Sequence, residues 1–577
     1  MTKNKDSELY KWGTERREAQ KNGDIPKWMT TIGYMTFMEQ YLYDCDTYKE
    51  QLTRISDTLG AVGDDLYGEY KGESWKKHFF DILWKGWLAP STPVMMNTGT
   101  DKGCSVSCSG GYVPDSVDGF FNHAREVALL SKNGFGTSGY VGDVRTRGKS
   151  FAGGGKADGQ GPVIDQQARA VEQVRQPGRR GSGAWYTDLM TRDFDDIWNM
   201  VWKKPKKYNI GWNVYDKDIE NLRKGHKKTN KHLQEAQYLK LVRGKGYYFF
   251  PDKANRQAPP AVKASGISIK NSNLCTEIML PCDENYTFTC VLSSLNLVLF
   301  DEWKDTDAVH ISTVFLDCVA EDFIRKGKKL VGLEKAVKFT EDFRALGLGV
   351  FGFHTYLQNN MISMDPQDVM EYSRLNKLNR DIFKLIDEQS LAASQWMAGI
   401  AGEPKWCKGL GYRNSHRTAI APTMTTSLIC YSVSPGVSPF YKNAYTHEGA
   451  GPDINRINPA LIPHLKRYNK YTHEVRKSIR ENGGSIQHLD FFTAHELRVF
   501  KTAFEIPQEI LVRLSASRQP FICQGQSINL FFSGDEDPVY IAKVHQEAFN
   551  NENVLSLYYL YSEKGIAPST GDCRMCD

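Results

Sequence analysis

The sequence runs to 577 residues, which at roughly 150 per domain allows about four units or two large ones. With 40% hydrophobic, 12% aromatic and 24% charged residues it can bury a large core, which excludes wholesale disorder. Lys and Arg number 73 against 68 Asp and Glu, and the resulting +5 is too dilute over this length to argue for nucleic-acid binding.

No run of 18 apolar residues exists, and the polar start MTKNKDSELYKWGTERREAQ lacks a signal-peptide core. A soluble, intracellular, cytoplasmic protein without membrane contact is expected. The 12 cysteines, scattered along such a chain, are expected to be reduced thiols and mostly buried small residues. Those that stand out are Cys104 with Cys108, Cys275 with Cys282 and Cys290, and the terminal pair Cys573 and Cys576.

The first 85 residues read as helical, with apolar positions in WMTTIGYMTFMEQYLYDCDTYKEQLTRISDTLGAV at mixed three and four spacing. LAPSTPVMMNTGT ends in turn chemistry, and CSVSCSGGYVPDS predicts a short strand closed by a Gly-Gly and Pro-Asp loop. Between Ser131 and Arg180, glycine-rich loops with embedded arginines expose N–H groups beside cations, a setting suited to phosphate though common in itself. Lys203 to Lys245 is lysine-rich and reads as a solvated helical face; it lacks the interleaved aromatics of a single-strand groove. Beyond it, ASGISI, TFTCVLSSLNLVLF, DAVHISTVFLDCVAEDFIRK and RALGLGVFGFHTYL alternate strand-like and helical runs, which argues for an α/β fold. With no internal repeat and no Pro/Ser linker, one large domain behind a helical N-terminal lobe is expected.

Three stretches carry chemistry. In Asn273-Leu274-Cys275-Thr276-Glu277, an amide, a thiol and a carboxylate alternate, and an extended chain would point all three to one side. The bland alternative is a buried cysteine with incidental polar neighbours. The tail GDCRMCD holds a CxxC at the chain end, better suited to a mobile dithiol that exchanges electrons than to zinc, which would need a second pair. VLSLYYLYS is aromatic and apolar enough to be ordinary packing, although adjacent phenols also suit stepwise radical transfer.

Together these residues resemble the catalytic subunit of ribonucleotide reductase. The resemblance rests on NLCTEI, SCSGGYVPDS before it and TCVLSSLNL after it. It continues through STP at Ser91–Pro93, SKNGFGTSG with DVRTRG, RRGSGAW, APTMTTSLICYSVSPGVSP, LYYLYSEKG and the terminal CxxC, in family order over residues 85 to 577. It implies a ten-stranded α/β barrel with a central finger loop over residues 86–562. A small helical lobe over 1–85 would precede it and a redox-active tail over 563–577 would follow. The compact size resembles phage-encoded members without the regulatory ATP-binding domain, so inhibition by dATP through the N-terminus is not expected.

The resemblance also implies roles. Cys275 becomes the thiyl radical that takes the ribose 3′ hydrogen, Glu277 accepts the 3′-OH proton, and Asn273 holds the ribose hydroxyls. Cys108 and Cys290 are the reducing dithiol; Cys108, not Cys104, carries the Pro-Asp-Ser that follows at the family spacing, and Cys104 reads as structural. Cys573 and Cys576 re-reduce that disulfide, and thioredoxin or glutaredoxin reduces them. Tyr558 and Tyr559 relay the radical. Thr92, Ser107 and the loop Pro422, Thr423, Met424, Thr425 and Thr426 contact substrate, with Met424 where some members have a carboxylate. Asp115 and Arg145 form a nucleoside triphosphate effector site, and Arg180 links effector to substrate base. The chain itself would hold no metal or cofactor. Its radical would come from a ferritin-like, metal-bearing small subunit, with adenosylcobalamin as the alternative source, and it would form a homodimer when effector binds. A zinc or scaffold protein is the reading from a different class.

Overall fold

A computed structural model describes residues 2–174, 181–447 and 454–562. The N-terminal lobe is built from four helices, Thr2–Asn22, Thr31–Gln40, Tyr48–Tyr67 and Trp75–Trp84, as the apolar spacing predicts. Thr47 and Ser74 cap the last two by accepting the N–H of Glu50 and Lys76, which satisfies donors that a helix start leaves open. Leu52, Ile55 and Leu59 fall on one face of Tyr48–Tyr67 and are fully buried.

The barrel follows. Its strands in chain order are β1 (Leu88–Pro90), β2 (Cys108–Tyr112), β3 (Gly136–Tyr140), β4 (Gly183–Asp188), β5 (Asn209–Asn213), β6 (Tyr247–Phe249), β7 (Phe288–Asn296) and β8 (Leu346–Phe351). They continue with β9 (Ala444–His447), β10 (Ile454–Ile457), β11 (Leu530–Phe532), β12 (Ser556–Leu557) and β13 (Leu560–Ser562). β2 to β6 run parallel, and β7 and β12 close on the two edges of that half in antiparallel register. β7 pairs with β8 in parallel, β8 with residue 418, residue 420 with residue 526, and β11 with β13. The Tyr558 N–H donates to the Ile528 carbonyl at 2.8 Å, so the circuit returns to β6. Ten stretches of the described chain thus make a closed barrel, which removes open edges.

The parallel order demands crossovers, and helices such as Val117–Lys132, Gln160–Gln173 and Ala308–Gly327 supply them on the outside. ASGISI does not form a strand: from Gly266 the chain turns into the barrel instead of pairing along it. Residues 454–506 add a largely helical outgrowth with its own small core around Leu461, Leu465, Ile479 and Phe500. Lobe and barrel meet at a buried charge cluster. Asp317 on the helix Ala308–Gly327 accepts from the Tyr67 hydroxyl of the lobe, from Arg344 at 2.8 Å and from Arg413 at 3.1 Å. Burial alone would raise the Asp317 pKa, but the two guanidiniums win and hold it well below the usual carboxylate range. Among the described residues no helix is long and apolar enough to cross a membrane.

The lysine-rich stretch does form helices, Asp216–Arg223 and Lys227–Arg243, with mostly exposed lysines. Lys240 is the exception. It is buried, its Nζ lies 3.4 Å from the Leu557 carbonyl and 4.7 Å from the Tyr248 ring centre, and burial brings its pKa down to about 7.

Candidate active site

Residues 266–287 enter the barrel as an irregular loop, and Asn273, Cys275 and Glu277 lie on it fully buried. The extended geometry that alternation suggested is not what aligns them. Thr276 sits at φ 68°, left-handed space that a β-branched residue avoids, so the chain turns between the thiol and the carboxylate. Such a residue costs on the order of 1–3 kcal/mol and persists only where its surroundings fix it. Here they do. The Asn273 side-chain oxygen accepts the N–H groups of Glu277 at 3.1 Å and Ile278 at 3.2 Å, and the Tyr186 hydroxyl donates to the Asn273 carbonyl at 2.6 Å. From the opposite wall the Gly525 N–H reaches the Glu277 carbonyl at 2.8 Å, and the Ser556 hydroxyl the Thr276 carbonyl at 2.8 Å. The Ser527 hydroxyl stands 2.7 Å from the Cys275 carbonyl and 3.1 Å from Glu277 Oε2, with one proton to serve both.

The sheet itself creates the second element. Cys108 on β2 and Cys290 on β7 are directly opposed across an antiparallel pair, so both thiols project to the same face. Opposed residues have Cα atoms about 4.5–5.5 Å apart. That lies within the roughly 4.4–6.8 Å a disulfide spans, so the register places these two thiols within reach of each other. Asn273 Nδ2 donates to Cys108 Sγ at 3.2 Å, which ties the loop to the dithiol, and Gln524 Nε2 donates to Cys290 Sγ at 3.3 Å. Burial pushes the Cys290 thiol well above the ordinary thiol range, against the Gln524 bond, so it is held as S–H, a hydrogen donor. All ten described cysteines are thiols, and Cys104 is buried in the separate core beside the lobe.

Cys275 also has an aromatic neighbour. Its Sγ is 3.2 Å from the Tyr558 hydroxyl; Tyr558 and Tyr559 rings are 4.0 Å apart between centres at 44°. Tyr247 on β6 packs 5.1 Å from Tyr558 and donates its hydroxyl to that of Tyr559 at 3.2 Å. Gln524, Ser527, Tyr186 and Tyr247 escaped the sequence reading. A signal did exist for the first two, in the polar alternation of Gln524, Gln526 and Ser527 within an otherwise apolar FICQGQSINLFF.

The other expected contacts are placed as follows. Ser107 directly precedes Cys108, is buried, and its hydroxyl meets that of Ser91 at 2.9 Å. Thr92 opens the helix Thr92–Asn97 and meets the Tyr41 hydroxyl at 2.9 Å. Pro422 and Thr423 follow the barrel stretch that ends at Ile420, and Met424, Thr425 and Thr426 begin the short helix Met424–Ile429. The Thr423 hydroxyl accepts the Gly436 N–H at 2.8 Å, and the Tyr441 hydroxyl lies 3.5 Å from the Met424 sulfur. Asp115 and Arg145 stand apart from this group, partly exposed and bound to each other: Arg145 Nε is 2.6 Å and its backbone N 3.1 Å from the Asp115 carboxylate. Arg180, Cys573 and Cys576 lie outside the described residues.

The chain as a whole has counterparts among known proteins. Residues 106–216, 206–409 and 404–560 match the ribonucleotide reductase barrel domain, and residues 27–103 the ribonucleotide reductase all-alpha domain. A protein of Frog virus 3 named as a ribonucleoside-diphosphate reductase large subunit is 32% identical over 558 residues, covering 90% of this chain and 95% of the viral one. The large subunit of Invertebrate iridescent virus 3 is 38% identical over 351 residues, 58% of this chain and 54% of that one. The Actinobacillus ureae class Id ribonucleotide reductase alpha subunit superposes with a TM-score of 0.85 at 34% identity, over 93% of this chain and 98% of its own. With both domains matched in order and the viral relative aligned nearly end to end, this chain belongs to the ribonucleotide reductase large-subunit family.

Proposed function

We propose that the chain is the catalytic subunit of a class I ribonucleoside-diphosphate reductase, converting ribonucleotides to 2′-deoxyribonucleotides. The observation that carries this is the Cys275 thiol, fully buried and 3.2 Å from a tyrosine hydroxyl, on a loop bonded to an opposed dithiol. A thiol suits the task because its S–H bond is comparable in strength to the ribose C–H bond it breaks and remakes. As a thiyl radical, Cys275 takes the 3′ hydrogen. Glu277, already polarised by Ser527, takes the 3′-OH proton, and Asn273 orients the hydroxyls. The 2′-OH leaves as water with a proton from Cys108. Cys108 and Cys290 together supply two electrons, end as a disulfide, and Cys275 returns the hydrogen to the 3′ carbon.

Thr92, Ser107 and residues 422–426 receive the substrate, with the diphosphate on the latter. Asp115 and Arg145, with Arg180, read a nucleoside triphosphate effector. Cys573 and Cys576 reopen the disulfide and are reduced by thioredoxin or glutaredoxin. The lobe (1–85), the barrel (86–562) and the tail (563–577) are the working units. The radical comes from a small metal-bearing subunit, in keeping with the class of the Actinobacillus relative.

The deciding assay measures deoxynucleotide formation by the purified chain with a candidate small subunit, thioredoxin and effector. Turnover that requires the small subunit is the expected result. Turnover by this chain alone with adenosylcobalamin would overturn the class I assignment.

A further inference from the structure

The two sulfurs of the dithiol are housed differently. β7 lies between β2 and β8, so Cys290 has Cys108 on one side and β8 on the other. On the β8 side the space is taken. A Cβ on Gly347 would stand 2.9 Å from Cys290 Sγ, so the β8 backbone lies close against the sulfur. Gln524 closes the same side, its Nε2 donating to Cys290 Sγ at 3.3 Å and to the Leu346 carbonyl of β8 at 2.9 Å.

That amide has one orientation. Its oxygen accepts the Met279 N–H at 3.1 Å, and a flip would set oxygen against the Leu346 carbonyl and N–H against N–H. Its main chain is held from behind. The Gln524 carbonyl accepts from Gln519 Nε2 at 2.6 Å, Gln519 from Gln526 at 2.8 Å, and Gln526 from the buried Arg518 at 2.6 Å. Gln524 is fully buried, so its N–H is already aimed at the sulfur when charge develops there.

We propose, on the dithiol reading given above, that Gln524 governs the reopening of the Cys108–Cys290 disulfide. It holds Cys290 as the sulfur that leaves and stabilises the negative charge with which it leaves. Thiol–disulfide exchange runs in line with the S–S bond. An attacker on Cys290 would have to come from the β8 side, through Gly347 and Gln524. Cys108, the sulfur placed towards the departing 2′-OH, is therefore the one attacked. A bond forms from the attacking sulfur to Cys108, the Cys108–Cys290 bond breaks, and its electron pair goes to Cys290, which takes up a proton. The second thiolate of the attacking dithiol then displaces Cys108, which is protonated in turn, and closes the attacker's own disulfide. Two electrons and two protons reach Cys108 and Cys290, and the attacking dithiol is oxidised. A thiolate leaves faster the lower its pKa, and burial holds that of Cys290 high, so a donor aimed at this sulfur has much to contribute.

The test uses the full chain, with the disulfide formed by one turnover without reductant, or by diamide in a variant that does not turn over. Dithiothreitol then reopens it, followed by acid quench, alkylation and peptide mass spectrometry. Gln524→Met fills the same space without the donor and is expected to slow reopening about tenfold or more. Gln524→Glu keeps the oxygen that accepts from Met279, but its ionised carboxylate faces the departing charge. In alkaline buffer it should reopen more slowly still. With a monothiol as reductant, the mixed disulfide should be found on Cys108. Reopening of Gln524→Met at the wild-type rate would overturn the proposal, as would a mixed disulfide on Cys290. So would Gln524→Glu matching or outpacing Gln524→Met, the order a mere anchor of the loop would give. If neither variant folds, the wild type decides: with isotope-labelled glutamine, the infrared difference between disulfide and dithiol forms should contain a side-chain amide band, and its absence would sink the idea. A wild-type chain that forms no Cys108–Cys290 disulfide on turnover would remove the dithiol reading itself, which every other outcome leaves standing.

Discussion

The loop around Cys275 and the pair Asp115–Arg145 are opposite solutions to holding polar groups. The loop's central stretch, residues 271–282, is wholly buried, strained at Thr276, and fixed by bonds from several walls of the barrel. The pair is partly exposed, and each member is the other's partner. Radical chemistry needs the first kind of site, because a thiyl radical must meet one hydrogen atom and no water. A nucleotide reader can use the second. An ion pair near the surface is worth only about 0–1 kcal/mol, so a ribose and a phosphate can compete for its two halves. On the roles proposed above, rigidity sits where atoms are exchanged, and interchangeable bonds sit where ligands are sampled.

The comparison breaks first at the thiol. Cys275→Ser is expected to abolish deoxynucleotide formation while substrate binding, followed by equilibrium dialysis, persists; the O–H bond of serine is too strong to serve. Measurable turnover by this variant would remove the loop from the chemistry. Asn273→Ala comes next. It strands two buried N–H groups and the contact to Cys108, so we expect a lower denaturant midpoint, a loss of about 1–3 kcal/mol, together with a severe loss of turnover. An unchanged midpoint would mean that the strained turn is not held by this side chain.

Smaller effects sharpen the contrast. Burial raises the Cys290 pKa, so its alkylation by a small reagent should keep accelerating with pH beyond the point where an ordinary thiol, with a pKa near 8.5, has levelled off. A plateau near that value, read by peptide mass spectrometry, would place Cys290 in a polar setting. The smallest change is expected at the pair. Asp115→Asn should leave the melting temperature nearly unchanged, a shift within about 1 kcal/mol, and leave unstimulated turnover intact. Effectors should then no longer bias which base is reduced. Retained bias would place the effector elsewhere.

What could be read from the chain divides along similar lines. Local patterns carried the lobe helices and the short strand at Cys108, because each depends on neighbours in sequence, whereas the alternation in NLCTEI suggested an extended chain and only the family resemblance implied a loop. The opposition of Cys108 to Cys290 depends on register between strands far apart in the chain, which no spacing rule contains. The proximity of Tyr558 to Cys275 is of the same kind, and by composition VLSLYYLYS was ordinary core. Family order pointed to those residues; periodicity did not. The expected strand at ASGISI failed because its first two residues end the helix Pro260–Ser265, Gly266 caps that helix at φ 68°, and only Ile269 of the remainder is buried. Tyr247 was hidden as well, since nothing in the local run YYFF ties one of its rings to a thiol distant in the chain. The Asp115–Arg145 bond could not be foreseen, since nothing in either local sequence names its partner.

The carboxylate of Asp317 has a consequence for how the molecule comes apart. It takes bonds at once from a lobe tyrosine and from two barrel arginines, and their pull keeps it ionised in acid that would protonate an ordinary aspartate. Its folded pKa lies below its unfolded one, so the stability it lends is complete above the unfolded value of roughly 3.9 and drains away as pH falls towards the folded value. Lobe and barrel should therefore melt in one cooperative step, and acid should release them together. A chain severed near residue 85 would expose the seam rather than free a spare part, leaving a buried anion one donor short.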